Sequence, residues 1–231
     1  MNQSTGTQAT GTQATGTGVG HERRAGYPKG RARRLDIIRR ASLQFAEQGF
    51  DSVTVVDIAA VCGISRAGLL HHFANKHALL EAVLEERDRE DRDRFTPYVA
   101  AASGGIGVLR GLVDLAEHNR IVPGLVGLFV RLSAEAATPD HPAHDYFADR
   151  YRRIRAGTEQ ALRAAERSGY LRQAARPNAA ALHLTALMDG LQAQWLFDAT
   201  VDMAAHMRQA VTELLNDRGI SAFDAFTLAP R

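Results

Sequence analysis

The chain has 231 residues, 45% of them hydrophobic and 23% charged, with a net charge of +2 and one cysteine. This is the composition of a globular protein with one large domain or two modest ones. A lone Cys62 excludes an internal disulfide framework and a thiolate zinc site. No apolar run reaches the ~18 residues of a membrane span, and the polar N-terminus lacks a secretory apolar segment. A cytoplasmic location with no membrane partner is expected.

The charge is unevenly placed. Residues 21–40 carry eight basic side chains against Glu22 and Asp36, whereas residues 77–231 balance at −3. A basic end on a mildly acidic body suits a polyanionic partner; a basic tail without a partner is the competing reading.

In chain order, the first twenty residues repeat "TGTQA" twice and trail into "TGTGVG". So little apolar content cannot offset the entropy of ordering, and residues 1–28 are expected to be a disordered low-complexity segment with a basic arm. "RARRLDIIRRASLQFAEQGF" then places Leu35, Ile38 and Phe45, with the small Ala41, Ser42 and Ala46, at helical spacing. Gly49 is its stop and Phe50 an apolar anchor beyond it. In "TVVDIAAVCG", Thr54 and Asp57 form the S/T-x-x-D/E pattern of a helix start, and Ile58, Ala59 and Val61 give its buried side. Gly63 ends this second helix, Ser65 caps a third and Asn75 a fourth.

The fourth helix is apolar first, at Leu79, Leu80, Val83 and Leu84, and then almost wholly charged. Glu85–Arg89, Asp88–Arg92 and Glu90–Arg94 stand in favourable i, i+4 order, so this half reads as a solvated bridge between domains, ended by Pro97. Five further helical segments, from "GIGVLRGLVDLAEH" to "MAAHMRQAVTELLNDRG", are punctuated by Pro123, Pro139, Pro142, Gly169, Pro177 and Gly219. No alternating strand pattern occurs. The expected fold is all-α with about nine helices: an N-terminal three-helix helix-turn-helix domain over residues 29–80 and a C-terminal helical domain over residues 81–231.

Helices two and three are each about two turns long, joined by "Cys62-Gly63-Ile64". Gly63 permits a tight corner and Ile64 can plug the angle between them. This is the pattern of a DNA-reading helix-turn-helix, with an ordinary helical hairpin as the alternative. The run from Ile37 to Leu84 contains "FAEQGF", "TVVDIA", "CGIS", "HHF" and "NKHALL" in order. This run of about fifty residues closely resembles the DNA-binding domain of TetR-family transcriptional regulators. The remainder is similar to that family's ligand-binding and dimerisation domain in length and helix count only. The resemblance implies a dimeric, ligand-responsive repressor on a palindromic operator. Two positions depart from the family: it usually has glycine at Ala67, and at Leu70 a tyrosine that touches phosphate.

A helix advances about 100° per residue. From Ser65 to Phe73 this puts Leu69 and Phe73 on one face, as core, and Ala67, Gly68 and His71 on the opposite face. Arg66 and Leu70 occupy one flank, Ser65 and His72 the other. The small outward face lets the helix backbone sit deep in a major groove, with Ala67 near a thymine methyl and Arg66 near a guanine edge or a phosphate. His72 is either a structural histidine beside Phe73 or, as the resemblance implies, a phosphate contact. Thr54 and Lys76, at helix starts, are candidate phosphate contacts. Arg31, Arg33 and Arg34 precede helix one and are candidates to reach the backbone or the minor groove as an arm. Adjacent residues point about 100° apart, so His71 and His72 are poorly placed to share a metal.

In the C-terminal part, Leu184, Leu187 and Leu191, with Met203, Met207, Val211 and Leu214, are the candidate homodimer interface, because these helices are apolar on more than one side. His118, Glu135, Asp189, Gln192 and Trp195 are candidates to line an effector pocket; the alternative for each is a satisfied core or interface residue. His141 and His144, with Asp140 and Asp145, have a spacing that suits a metal, but "PDHPAHD" also reads as a helix start capped by Asp140 or His141. The chain has no P-loop and no nucleophile elbow. No enzyme activity and no cofactor are expected. The competing class is a helical small-molecule- or metal-binding bundle without DNA function.

Overall fold

The structure, a computed structural model, describes residues 26–101 and 103–228. The "TGTQA" repeats lie outside the described residues. Among the described residues there are ten helices: α1 (Gly26–Gln48), α2 (Val55–Val61), α3 (Arg66–His72), α4 (Lys76–Ala100), α5 (Ile106–Asn119), α6 (Pro123–Glu135), α7 (His144–Arg167), α8 (Pro177–Phe197), α9 (Met203–Leu214) and α10 (Asp217–Ala225). The all-α expectation is met, with corrections at four places.

Helix α1 starts at Gly26, so residues 26–28 are helical rather than part of a disordered tail. A proline in the first turn needs no N–H, so Pro28 does not oppose this start. Pro97 does not end α4, which continues to Ala100. Tyr98 is buried and donates from its hydroxyl to Asp114 of α5 at 2.6 Å, and this anchor carries the helix past the proline. Helix α7 starts at His144, two residues later than the prolines suggest, and neither Asp140 nor His141 is its cap. The last expected helix is two. The chain breaks at Leu215, which bridges Leu171, and Asn216 caps α10 by accepting from the Gly219 amide at 3.0 Å. Gly219, expected as a stop, is instead inside α10, where a Cβ would come within 2.3 Å of the Tyr170 carbonyl oxygen.

Two apolar cores organise the chain. The first gathers Ile37, Ala41 and Phe45 of α1, Ile58 of α2, Leu69 and Phe73 at α3, and Leu79 to Leu84 of α4. It also draws Leu128 and Leu132 from α6 and Phe147 from α7, so it does not close at residue 80, and α4 passes that position unbroken. The second core joins α5, α8, α9 and α10 around Leu109, Leu184, Met207 and Phe223.

The charged half of α4 is not simply solvated. Asp88 is 6% exposed and takes Arg150 and, at 2.7 Å, Arg153 of α7. Asp91 accepts from Arg150 at 3.3 Å and lies 3.3 Å from Arg87. Of the expected i, i+4 partners, Arg89 turns to Glu86 and Asp93, and Asp88 turns to α7. The tertiary neighbour wins because a buried carboxylate needs a buried cation.

Candidate nucleic-acid interface and effector cavity

The helix-turn-helix is built by local chemistry. Thr54 caps α2: its Oγ1 accepts from the Asp57 amide at 3.2 Å, while Asp57 accepts from the Thr54 amide at 2.9 Å and from its hydroxyl at 2.6 Å. These bonds hold the Asp57 carboxyl below its usual range. At the other end of α2, Ile64 donates to Ala59 and Gly63 to Ala60, both at 3.0 Å, with Gly63 at φ +65°. This is a Schellman stop, which needs a left-handed residue at that one point. Ser65 then caps α3 by accepting from the Gly68 amide at 3.0 Å, and Asn75 caps α4 by accepting from Ala78 at 2.8 Å.

Two arginines that sequence reasoning did not pair also fix α2. Arg33 donates to the Cys62 carbonyl at 2.7 Å and Arg40 to the Val61 carbonyl at 3.1 Å. Asp36 lies between them and accepts from both. The last carbonyls of a helix lack internal partners, so this clamp on α1 satisfies them and sets the angle of α2. Its signal in the sequence is the i, i+3, i+7 spacing Arg33, Asp36, Arg40 on one face of α1.

Helix α3 has the expected two-sided character. Leu69 and Phe73 are buried, while Ser65, Arg66, Ala67 and His71 are exposed and Gly68, Leu70 and His72 half-buried. A Cβ at Gly68 would meet nothing closer than 3.4 Å, so the outward face has room. The two histidine rings stand edge to face at 5.7 Å, and His72 lies 6.5 Å from Phe73. Among the described residues no group of three His, Cys, Asp or Glu is placed to hold a metal. His141 Nδ1 instead accepts from the Ala143 amide, and His144 Nδ1 lies 2.8 Å from the Ala136 carbonyl oxygen.

Arg31, Arg33 and Arg34 do not precede the first helix as an arm; all three lie within α1. Arg31 is exposed, Arg33 belongs to the clamp, and Arg34 stacks on the Phe73 ring at 4.6 Å. Lys76 holds the loop between α1 and α2: its Nζ donates to Phe50 O at 2.9 Å and Asp51 O at 3.3 Å, over the Phe50 ring.

The C-terminal part encloses a cavity of about 370 Å³ between α4, α5, α6, α7 and α8. Asp189 and Gln192 line it as expected, but His118, Glu135 and Trp195 do not. His118 pairs with Arg94 at 2.9 Å, Glu135 is exposed, and Trp195 is buried in the second core. Sequence reasoning missed Arg87, Ser133, Arg150 and Tyr151, which line the cavity among Leu112, Phe129, Phe147 and Met188. Burial, with Arg87 alongside, pulls Arg150 down to about 10, so it remains a cation at neutral pH. Burial pushes the Asp189 carboxyl up, and burial with Asp189 nearby pushes the Tyr151 hydroxyl up to about 12.

The expected dimer residues are mostly monomer core. Leu184, Leu191, Met203, Met207 and Val211 are buried in the second core, and Leu187 and Leu214 pack against it. The apolar side of α9 is spent on α5 and α8 of its own chain. What α8 presents outward is a different set: Ala179, Leu182, Ala186 and Phe197, with Phe197 94% exposed, whereas Gly190 and Ala193 are half-buried and line the cavity.

Two short capped helices around a Schellman corner, on a three-helix core and followed by a helical body with a cavity, define a helix-turn-helix DNA-binding regulator. Comparison with known proteins agrees. The family model described as bacterial regulatory proteins, tetR family, matches residues 37–83, and that of the BetI-type transcriptional repressor C-terminal domain matches residues 123–218. A Mycobacterium tuberculosis protein, HTH-type transcriptional repressor Rv1474c, is 30% identical over 164 residues, covering 71% of this chain and 82% of that one. The fold is shared with a regulator from Saccharomonospora viridis solved in complex with choline (TM-score 0.64, 24% identity, covering 80% of this chain and 99% of that one). It is shared also with SmeT, repressor of the Stenotrophomonas maltophilia efflux pump SmeDEF (TM-score 0.67, 20% identity, covering 85% and 96%). The chain belongs to the TetR family and is a DNA-binding transcriptional repressor, not an enzyme. No described helix is long and apolar enough to cross a membrane.

Proposed function

We propose that the chain represses as a homodimer on a palindromic operator and releases it when a small molecule fills the C-terminal cavity. The observation that carries the DNA half is α3 itself, anchored by Leu69 and Phe73 and exposing Arg66, Ala67 and His71. Arg66 is the base or phosphate contact, and Ala67 and Gly68 allow close approach. Ser65, Thr54 and His72 flank the groove toward the phosphates, and His71 faces into it. Lys76 and Arg34 act mainly by holding Phe50 and Phe73, with Arg31 free to reach phosphate. Leu70 has no hydrogen bond to offer, so the helix ends and arginines must supply the backbone contacts.

Arg66→Ala is expected to weaken operator binding by about 1–3 kcal/mol, read by fluorescence anisotropy on operator DNA. Unchanged affinity removes Arg66 from the interface. Binding by the parent chain falls steeply with salt, since most contacts proposed are to phosphate. The operator comes from genomic footprinting with purified protein, and failure to shift any DNA flanking its own gene at low salt would count against the reading.

The dimer is supported by the outward stripe of α8. Small Ala186 admits a close helix approach beside the exposed Leu182 and Phe197. An exposed apolar stripe of this kind is costly in a monomer and suits a two-fold partner, with half-sites ~34–36 Å or a multiple apart. Phe197→Glu is expected to convert the dimer to monomer at micromolar concentration in light scattering, with helical content unchanged. A parent chain that is already monomeric sinks the homodimer.

The effector half is supported by the cavity, whose size falls within the ~300–1,000 Å³ of small-molecule sites. The choline complex of the S. viridis regulator shows a chain of this fold holding a small molecule.

A further inference from the structure

The cavity carries an unequal set of charges. Two guanidiniums, Arg87 and Arg150, and one carboxylate, Asp189, face it, and the rest of its wall is mainly aliphatic and aromatic. We propose that the effector is an amphipathic monoanion, an apolar body ending in a carboxylate, whose head is taken by Arg150 and Arg87. This rests on the reading of the cavity as the effector site.

Three observations favour an anion over a cation. First, both guanidiniums stack on Phe129, Arg87 at 5.9 Å and Arg150 at 5.2 Å from its centroid. The Phe129 face is therefore already occupied by cations, which leaves a quaternary ammonium only the Phe147 and Tyr151 rings. Second, the arginines have donors to spare. Arg150 spends Nη1 on Asp88 and Nη2 on Asp91, and Arg87 spends Nη2 on Asn119 at 3.2 Å. Among the described residues no hydrogen bond uses Arg150 Nε or Arg87 Nη1. A planar guanidinium with free edges suits a carboxylate. Third, the only carboxylate facing the cavity among the described residues is the one that gives way. Burial favours the neutral form of Asp189, so it can take up a proton as an anion binds.

The same contacts connect the head group to α4. Asp88 holds both Arg150 and Arg153, so it keeps a partner if Arg150 turns to a ligand. Asp91 has Arg87 and Arg150, the two residues the ligand would take. Ligand binding thus replaces the direct Asp91–Arg150 tie between α4 and α7 with one made through the ligand, from Arg87 of α4 to Arg150 of α7. α4 begins at Lys76, directly after the recognition helix, and its first half lies in the core beneath that helix. A ligand that prefers the re-tied arrangement shifts the molecule toward it, as a coupled equilibrium requires.

The test is a matched series, decanoate, decanol and decyltrimethylammonium, titrated below their micelle concentrations into the full-length protein by calorimetry. The operator complex is then titrated with each. Decanoate is expected to bind at least tenfold more tightly than the other two and to raise the melting temperature. Asp189→Asn is expected to tighten decanoate binding, because it removes the opposing charge without touching α4. Arg150→Gln is expected to weaken it at least tenfold, with circular dichroism confirming that the variant folds. Tighter binding of the ammonium probe, lost in Asp189→Asn, overturns the proposal while leaving the cavity as an effector site. Decanoate binding no tighter than decanol binding, or no binding by any of the three, overturns it as well. Decanoate that binds as expected but leaves the operator complex intact upholds the ligand class and removes the ligand-responsive reading instead.

Discussion

Asp88→Ala is expected to destabilise the chain by about 3–5 kcal/mol, the range for removing one partner of a buried charge pair. Asp88 is 6% exposed, and two α7 guanidiniums converge on it. Deleting the carboxylate leaves Arg150 with Asp91 alone, in a site where its own burial already lowers its proton affinity. The same deletion leaves Arg150–Asp91 as the remaining ion pair between α7 and α4 along the segment between the cavity and the DNA-binding core. Urea denaturation followed by circular dichroism measures the loss. Asp149→Ala is the control: Asp149 pairs with Arg152 at 2.8 Å in an exposed position, where such pairs contribute about 0–1 kcal/mol. If Asp88→Ala costs no more than Asp149→Ala, the ion cluster contributes nothing and α4 is held to α7 by apolar contacts alone.

The helix-turn-helix is legible because its signals are local. A capping box at Thr54 and Asp57, a glycine at the Schellman position Gly63, and caps at Ser65 and Asn75 each act within about five residues of sequence. The 100° rule alone separates Leu69 and Phe73 from Ala67 and His71, and the exposures agree. The misses share one cause, a tertiary neighbour distant in sequence. Arg33 and Arg40 look like tail charge until Cys62 and Val61 present their carbonyls from α2. Asp88 looks like surface charge until Arg150 and Arg153 arrive from 62 and 65 residues away. The apolar content of α8 and α9 is visible, but not its division between the chain's own core and its surface. Met203, Met207 and Val211 lie in the core, and the stripe through Leu182 and Phe197 is outside. The cavity is legible only at Asp189 and Gln192, since Arg87 sits in the half of α4 that reads as solvated and nothing in the sequence singles out Arg150 of α7.

Ala67→Glu is expected to lower operator affinity at least ~100-fold, about 2.7 kcal/mol, while leaving the fold unharmed. The two effects have opposite signs for separate reasons. Ala67 is exposed at the second position of α3, where an acidic side chain meets the positive end of the helix and is neutral to mildly stabilising, by roughly 0.3–1 kcal/mol. In the groove the same carboxylate faces the charge of the phosphate backbone and adds bulk where the small face of Ala67 and Gly68 lets the helix approach. Loss of binding with an unchanged or slightly raised melting temperature therefore assigns the effect to DNA contact rather than to unfolding. Ala67→Gly is the companion variant. It restores the residue the family usually has and is expected to bind within a few-fold of the parent, because it neither adds charge nor fills the groove. If Ala67→Glu binds operator as the parent does, α3 does not lie in the groove with this face, and the interface built on Arg66, Ala67 and His71 is wrong. If Ala67→Gly loses affinity as heavily as Ala67→Glu, charge and bulk are not the cause, and the β-carbon of Ala67 is itself a base contact, as its place near a thymine methyl would require.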